Sequence, residues 1–75
     1  EQGNVLAQNN LGLMYEAGRG MPRDYVMAYL WFARAAAHAG LDRDKAARNR
    51  DQVEAKMTPA QVEAAKRLAR ERARQ

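Results

Sequence analysis

The chain has 75 residues, no cysteine and a net charge of +4 at pH 7. A chain of this length forms at most one small domain, and without cysteine it has neither a disulfide framework nor a thiolate metal site. No apolar run approaches the ~20 residues that cross a bilayer, and the first residues lack a signal-peptide pattern. Because the sequence starts at Glu1 rather than Met, we expect a fragment or processed form of a longer protein.

The first predicted element is a helix that has Asn4 as its N-cap and ends near Ala17. Apolar residues recur at helical spacing along it, with Tyr15 beside them, and form a predicted core stripe. This stripe comprises Ala7, Leu11, Met14 and Gly18. Gly12 lies inside the helix, where glycine costs about 1 kcal/mol relative to alanine. A glycine at this position predicts that a second helix approaches closely.

A turn and a strongly apolar helix follow. The segment 18–23 contains two glycines and a proline, a combination that ends a helix and reverses the chain. Asp24 is predicted to cap the second helix, which runs over 25–39 and stops at Gly40. This helix is apolar on nearly every side, so it needs neighbours on more than one face. We expect it to lie between the first and third helices or to be covered by another chain.

The third predicted helix follows Asp42 or Asp44 as its cap and reaches about Lys56. Its predicted inner side comprises Ala46, Ala47, Val53 and Met57.

The fourth predicted helix begins at a capping box, in which Thr58 and Gln61 satisfy each other's backbone N–H groups around Pro59. It extends to about Ala73, and its thin apolar stripe comprises Val62, Ala65, Leu68 and Ala69. The sequence therefore predicts an all-α fold of about four helices, with an antiparallel first pair and a weaker second pair.

Small and apolar residues recur at fixed spacing between Gly3 and Gly40, which are 37 residues apart. The positions concerned are Gly3, Ala7, Gln8, Leu11, Gly12, Tyr15, Gly18, Gly20, Asp24, Ala28, Trp31, Phe32, Ala35 and Ala36. This series resembles the Sel1-like repeat, an α/α relative of the tetratricopeptide repeat. The tetratricopeptide repeat itself has a shorter period of ~34 residues and does not need the Gly-x-Gly loop, so the Sel1-like interpretation is preferred.

The resemblance implies a helical-hairpin solenoid fragment. Residues 1–40 would form one Sel1-like repeat, with the end of a preceding unit at 1–3. Residues 41–75 would form a C-terminal capping helix pair, since 48–70 resembles the cap that often follows the last repeat in bacterial members.

The resemblance also implies a scaffold or adaptor that binds protein partners through its stacked first helices. On the first helix, the side away from the predicted core stripe contains Asn9, Leu13 and Glu16, with Asn10 at its edge. We expect a protein partner to bind there. A single repeat also leaves its stacking surface open, so we predict a homodimer or domain-swapped oligomer that uses Val5 and Leu6.

Composition argues against an enzyme. The chain has no serine and no cysteine, and Thr58 serves as a helix cap, so a nucleophilic triad has no nucleophile. His38 is the single histidine, so no metal site and no cofactor are expected. The Gly18-Arg19-Gly20 segment lacks the third glycine and the lysine of nucleotide-binding loops and is interpreted as a turn.

The alternative to protein binding is recognition of nucleic acid or another acidic surface. Residues 41–75 contain ten basic and six acidic residues, whereas residues 1–40 are neutral overall. The bases that would contact phosphates are Lys66, Arg67, Arg70, Arg72 and Arg74. Acidic residues are interspersed among them and no aromatic residue is available for stacking, so nucleic acid is the less favoured partner. The sequence indicates no compartment.

Overall fold

The computed structural model describes residues 4–37 and 41–73. These ranges form four helices, which are α1 (Asn4–Ala17), α2 (Tyr25–Ala36), α3 (Leu41–Glu54) and α4 (Pro59–Ala73). No strand occurs in the described ranges. The predicted all-α fold of helical hairpins is therefore confirmed.

The apolar helix α2 lies at the centre of the fold and packs against α1, α3 and α4. Its buried residues are Ala28, Tyr29, Leu30, Phe32 and Ala35. Phe32 is fully buried and belongs to one cluster with Val53 of α3 and Ala65 of α4. The prediction that α2 needs neighbours on several faces is confirmed, because three helices cover it.

Helices α1 and α2 approach each other closely at Gly12. A β-carbon at this position would lie 2.4 Å from Cε1 and 2.6 Å from Cδ1 of the Phe32 ring. Such distances are far below van der Waals contact, so only glycine lets the fully buried ring lie against α1. The predicted close approach at Gly12 is confirmed.

Helix α3 runs beside α1 in a parallel register. Asn49 Nδ2 donates a hydrogen bond of 3.0 Å to Asn9 Oδ1. At the C-terminal end of α1, Lys56 Nζ, two residues beyond the end of α3, donates to Glu16 Oε2 over 2.8 Å. The partners are 40 residues apart in both pairs, and a constant offset at two separate points requires parallel helices.

Local hydrogen bonds fix the starts of α2 and α4. Asp24 Oδ1 accepts the N–H of Met27 over 3.1 Å. Thr58 Oγ1 accepts the N–H of Gln61 over 3.2 Å, and Gln61 Oε1 accepts the N–H of Thr58 over 2.9 Å. The predicted cap of α2 and the predicted capping box of α4 are therefore both confirmed.

Some predicted helix ends are wrong. Helix α2 ends at Ala36, three residues before the predicted end, and Gly40 lies outside the described residues. Helix α3 begins at Leu41, so neither Asp42 nor Asp44 precedes it as a cap. The sequence offers no residue that stops the alanine-rich segment before position 40, which is why the pattern favoured a longer α2.

The buried side of α1 also differs from the predicted core stripe. Gln8, Asn9 and Gly12 are buried, whereas Ala7 and Met14 are exposed. The prediction is wrong for Ala7 and Met14 because the close contact at Gly12 turns that side of the helix towards α2. Asn4, predicted as the cap of α1, is already part of the helix.

The contact at Gly12 gives a first prediction, for the Gly12→Ala variant. Alanine has a helix propensity about 1 kcal/mol better than glycine, but overpacking a buried site costs about 1–3 kcal/mol. Because the Phe32 ring is fully buried, overpacking should outweigh propensity, and we expect a net loss of up to about 2 kcal/mol in the free energy of unfolding, measured by urea denaturation.

A matched control is Gln52→Ala on the exposed side of α3, which should change the free energy of unfolding by less than about 0.5 kcal/mol. Phe32→Leu should partly rescue Gly12→Ala, so that the double variant loses less than the two single losses combined. A stabilised Gly12→Ala variant would contradict the close packing of α1 on α2.

The capping box gives a second prediction. Thr58→Ala removes the hydroxyl that accepts the Gln61 N–H and should lower the free energy of unfolding by about 1 kcal/mol. Thr58→Ser retains a hydroxyl and should remain near the parent protein in the same urea titration. Equal losses in the two variants would show that the hydroxyl does not cap α4.

Candidate functional site

Helix α1 presents an apolar surface to solvent. Within the described ranges, the exposed large hydrophobic residues are Leu6 (52% exposed), Leu13 (40%) and Met14 (37%). Asn10 and Ala17 are exposed on the same side of the helix, at helical spacing from Leu6 and Leu13. These five residues are called the outer face of α1 below.

The outer face of α1 contains no charged residue. Helix α1 has one charged residue, Glu16. The Glu16 side chain is only 14% exposed, because it turns towards α3 and pairs with Lys56. A contiguous exposed apolar surface without charge is typical of an interaction site.

A groove of about 830 Å³ adjoins the outer face at the C-terminal end of α1. Its lining residues are Asn10, Leu13, Met14, Glu16, Ala17, Arg19, Gly20 and Lys56. The groove brings together three residues of the predicted partner surface, namely Asn10, Leu13 and Glu16. Sequence analysis missed Met14, Ala17, Arg19 and Lys56, although the helical spacing of Leu6, Leu13 and Ala17 could have revealed the apolar side.

Asn9, the fourth residue of the predicted partner surface, does not lie on an exposed side. It is 1% exposed, and its Oδ1 accepts the hydrogen bond from Asn49. The predicted exposure of Asn9 is wrong because α3 packs along this side of α1. Asn9 therefore holds α1 and α3 together within the chain.

The residues predicted for self-association are described in part. Leu6 is more than half exposed at the N-terminal end of the outer face. Val5 belongs to α1, but its side chain lies outside the described residues. Their role in self-association stays a prediction.

The ion pair at the edge of the groove raises the pKa of Lys56 above its ordinary value of 10.5. The main cause is the hydrogen bond to the Glu16 carboxylate, followed by the attraction of its negative charge. The positive charge of Arg23 acts in the opposite direction and more weakly. Lys56 is therefore a cation paired with Glu16, and Arg23 is close enough for its positive charge to affect the pKa of Lys56.

The basic residues of α4 project into solvent. Those within the described ranges are Lys66, Arg67, Arg70 and Arg72, and Arg74 lies outside them. Lys66 Nζ lies 3.9 Å from Glu54 Oε2, and Glu63 and Glu71 are also exposed on α4. Acids and bases thus share this surface, as the sequence suggested, and binding of nucleic acid remains an untested alternative.

A second groove, of about 810 Å³, lies between α2 and α4. Its apolar residues include Leu30, which is buried, and Leu68, which is half-buried. The Arg34 guanidinium lies 5.8 Å from the centre of the Trp31 ring, and Glu71 and Arg72 offer opposite charges. The leucines of this groove are buried or half-buried, whereas Leu6, Leu13 and Met14 of α1 are exposed.

The described residues contain neither a metal-binding cluster nor a membrane-spanning helix. No group of His, Asp and Glu side chains in these ranges could hold a metal ion. His38 lies outside them. No helix of the described part is long and apolar enough to cross a membrane.

Helices α1 and α2 form an antiparallel hairpin, the unit of an α/α helical repeat, and α3 and α4 each pack on α2 rather than as the predicted second pair. A family model for the Sel1 repeat matches residues 5–39, so this part of the chain is a Sel1 repeat. Sel1 repeats are protein-interaction repeats and typically non-catalytic. No curated protein and no solved structure matches the chain.

The Glu16–Lys56 pair gives a third prediction, tested by a double-mutant cycle of Glu16→Gln and Lys56→Gln. The pKa of Lys56 is higher in the folded than in the unfolded protein. The ion pair therefore contributes fully to the free energy of unfolding below the unfolded pKa of 10.5, and this contribution is lost as the pH rises through the folded pKa. The coupling measured by urea denaturation should therefore be favourable at neutral pH and vanish in alkaline solution.

The Lys66–Glu54 pair is a matched control, since its charged atoms are 3.9 Å apart rather than 2.8 Å. Its coupling at neutral pH should be the smaller of the two. A Glu16–Lys56 coupling that persisted unchanged in alkaline solution would show that it does not depend on the lysine charge.

Proposed function

We propose that this chain is a non-catalytic protein-binding module that docks its partner on the outer face of α1. The observation that supports this most strongly is the location of the exposed large hydrophobics. Leu6, Leu13 and Met14 all lie on this one side, and no charge interrupts them. Burying such a surface against a partner releases water from apolar area, worth roughly 25 cal/mol per Å² before the costs of association.

The exposed side of α3 differs in character from the outer face of α1. The exposed residues of α3 include Arg43, Asp44, Lys45, Arg48, Asp51 and Gln52, all of them charged or polar. A charged outer side discourages further helix packing. Terminal repeats of a solenoid need such a polar outer surface. We therefore propose that residues 41–75 cap the repeat of residues 1–40 and that partners bind on the α1 side only.

A second copy of the chain fits the outer face of α1. Leu6, Asn10, Leu13 and Ala17 follow one another at spacings of four, three and four residues, the pattern by which two helices pack along a shared seam. The surface has no charge to repel its own copy. An Asn within such a seam can pair with its counterpart across a two-fold axis, which selects a homodimer.

Self-association gives a fourth prediction. Light scattering should show a mass that rises towards that of a dimer between about 10 µM and 1 mM protein, and the melting temperature should rise with concentration. Leu13→Asp buries a charge in the interface and should keep the protein monomeric. Because Leu13 is exposed in the single chain, the same variant should lose less than about 0.5 kcal/mol of unfolding free energy at low concentration.

Gln52→Asp supplies the control, since it adds the same charge on the exposed side of α3 and should leave the dimer intact. A constant monomer mass and a constant melting temperature would rule out self-association. A dimer that persists in both Leu6→Asp and Leu13→Asp would place the interface elsewhere and contradict the use of α1.

A further inference from the structure

We infer that the groove beside the outer face of α1 binds a short protein segment that combines aliphatic and acidic side chains. This inference rests on the proposed function, since it assigns a chemistry to a partner of the α1 surface. It differs from self-association because it depends on charged residues that the helix seam does not use.

One wall of the groove is apolar. Leu13, Met14 and Ala17 line it, and both Leu13 and Met14 are more than one-third exposed. Methionine has a flexible, polarisable side chain that adapts to partners of different shape. A leucine, isoleucine or methionine side chain of the partner would bury apolar area on both sides of this contact.

The rim of the groove is basic. Arg19 lines it and forms no ion pair within the described part of the chain. Lys56 lies on the same rim, and Arg23 is close enough for its charge to lower the pKa of Lys56. The Arg23 guanidinium also lies over the Tyr25 ring, at 5.4 Å from its centre.

The acids nearby are already engaged. Glu16 pairs with Lys56 at 2.8 Å, and Asp24 accepts the N–H of Met27 as the cap of α2. Two carboxylates, Glu16 and Asp24, therefore stand against the three bases Arg19, Arg23 and Lys56, so one positive charge is in excess. This excess of positive charge next to an apolar wall is complementary to a carboxylate that follows an aliphatic residue.

The polar residue on the apolar side of the groove fits a peptide backbone. Asn10 is exposed, and its side-chain amide can both donate to and accept from a main-chain amide. The groove lining contains no aromatic residue, so a nucleic acid would find phosphate contacts but no platform for its bases. The combination favours an acidic aliphatic peptide over a nucleic acid.

Fluorescence anisotropy with designed peptides tests this inference. The probe is a labelled peptide of about ten residues in which two leucines alternate with three glutamates, embedded in glycine and serine. Two matched peptides replace the glutamates by glutamine or the leucines by alanine. We expect both replacements to weaken binding about fivefold or more, and the affinity for the acidic probe to fall between about 50 mM and 500 mM salt.

Charge reversal on the protein locates the binding surface. Arg19→Glu should lower the affinity for the acidic probe about tenfold and leave the affinity for the glutamine peptide nearly unchanged. Arg67→Glu on the exposed side of α4 changes the net charge equally and should have less than a twofold effect. Leu13 and Met14 belong both to the groove and to the outer face of α1. The bound probe should therefore also displace a second copy of the chain and shift the dimer towards the monomer.

Equal affinity for the glutamate and glutamine peptides, or equal effects of Arg19→Glu and Arg67→Glu, would overturn the inference. Stronger binding of a single-stranded oligonucleotide than of the acidic probe at the same sites would also overturn it. The mass of the Arg19→Glu variant, measured by light scattering, distinguishes a failure of this inference from a failure of the proposed function. If the variant still dimerises while the parent binds no probe, the outer face functions and only the acidic-peptide assignment fails.

Discussion

The contact between Gly12 and the Phe32 ring is the constraint on which the rest of the structure depends. A small chain has little apolar area to bury, so its helices must approach closely where they do meet. The absence of a side chain at Gly12 lets a fully buried aromatic ring lie against α1. Phe32 in turn lies in one cluster with Val53 and Ala65, so the same ring ties α3 and α4 to the centre.

This contact also decides which side of α1 remains free. With Gly12 turned towards α2, the neighbouring Asn9 meets Asn49 of α3, and Leu6 and Leu13 point to solvent. The exposed apolar surface is thus a consequence of core packing and not of a weak helix. A surface of this kind lowers solubility unless a partner covers it, which is why we relate it to protein binding.

The sequence predicted local features well and non-local ones poorly. The caps at Asp24 and Thr58 were predictable because their hydrogen bonds span three residues. The side of α1 that faces the core was not predictable. Residues of the predicted core stripe and of the outer face both recur at helical spacing, and only the contact with the distant Phe32 decides which of the two sides is buried. Asn9 was misplaced for a similar reason, since its partner lies 40 residues away. Three of the eight groove residues were predicted, namely Asn10, Leu13 and Glu16, but the presence of Lys56 at the groove depends on the parallel register of α1 and α3.

The central claim is that the outer face of α1 is the surface through which this chain binds protein, beginning with a second copy of itself. The most direct test is to record amide ¹H–¹⁵N spectra through a dilution series and to map the signals that move with concentration. The account predicts that the moving signals belong to Leu6, Asn10, Leu13 and Met14 and that the signals of the exposed sides of α3 and α4 stay still. Movement confined to the basic residues of α4, or signals that do not move at any concentration, would contradict it.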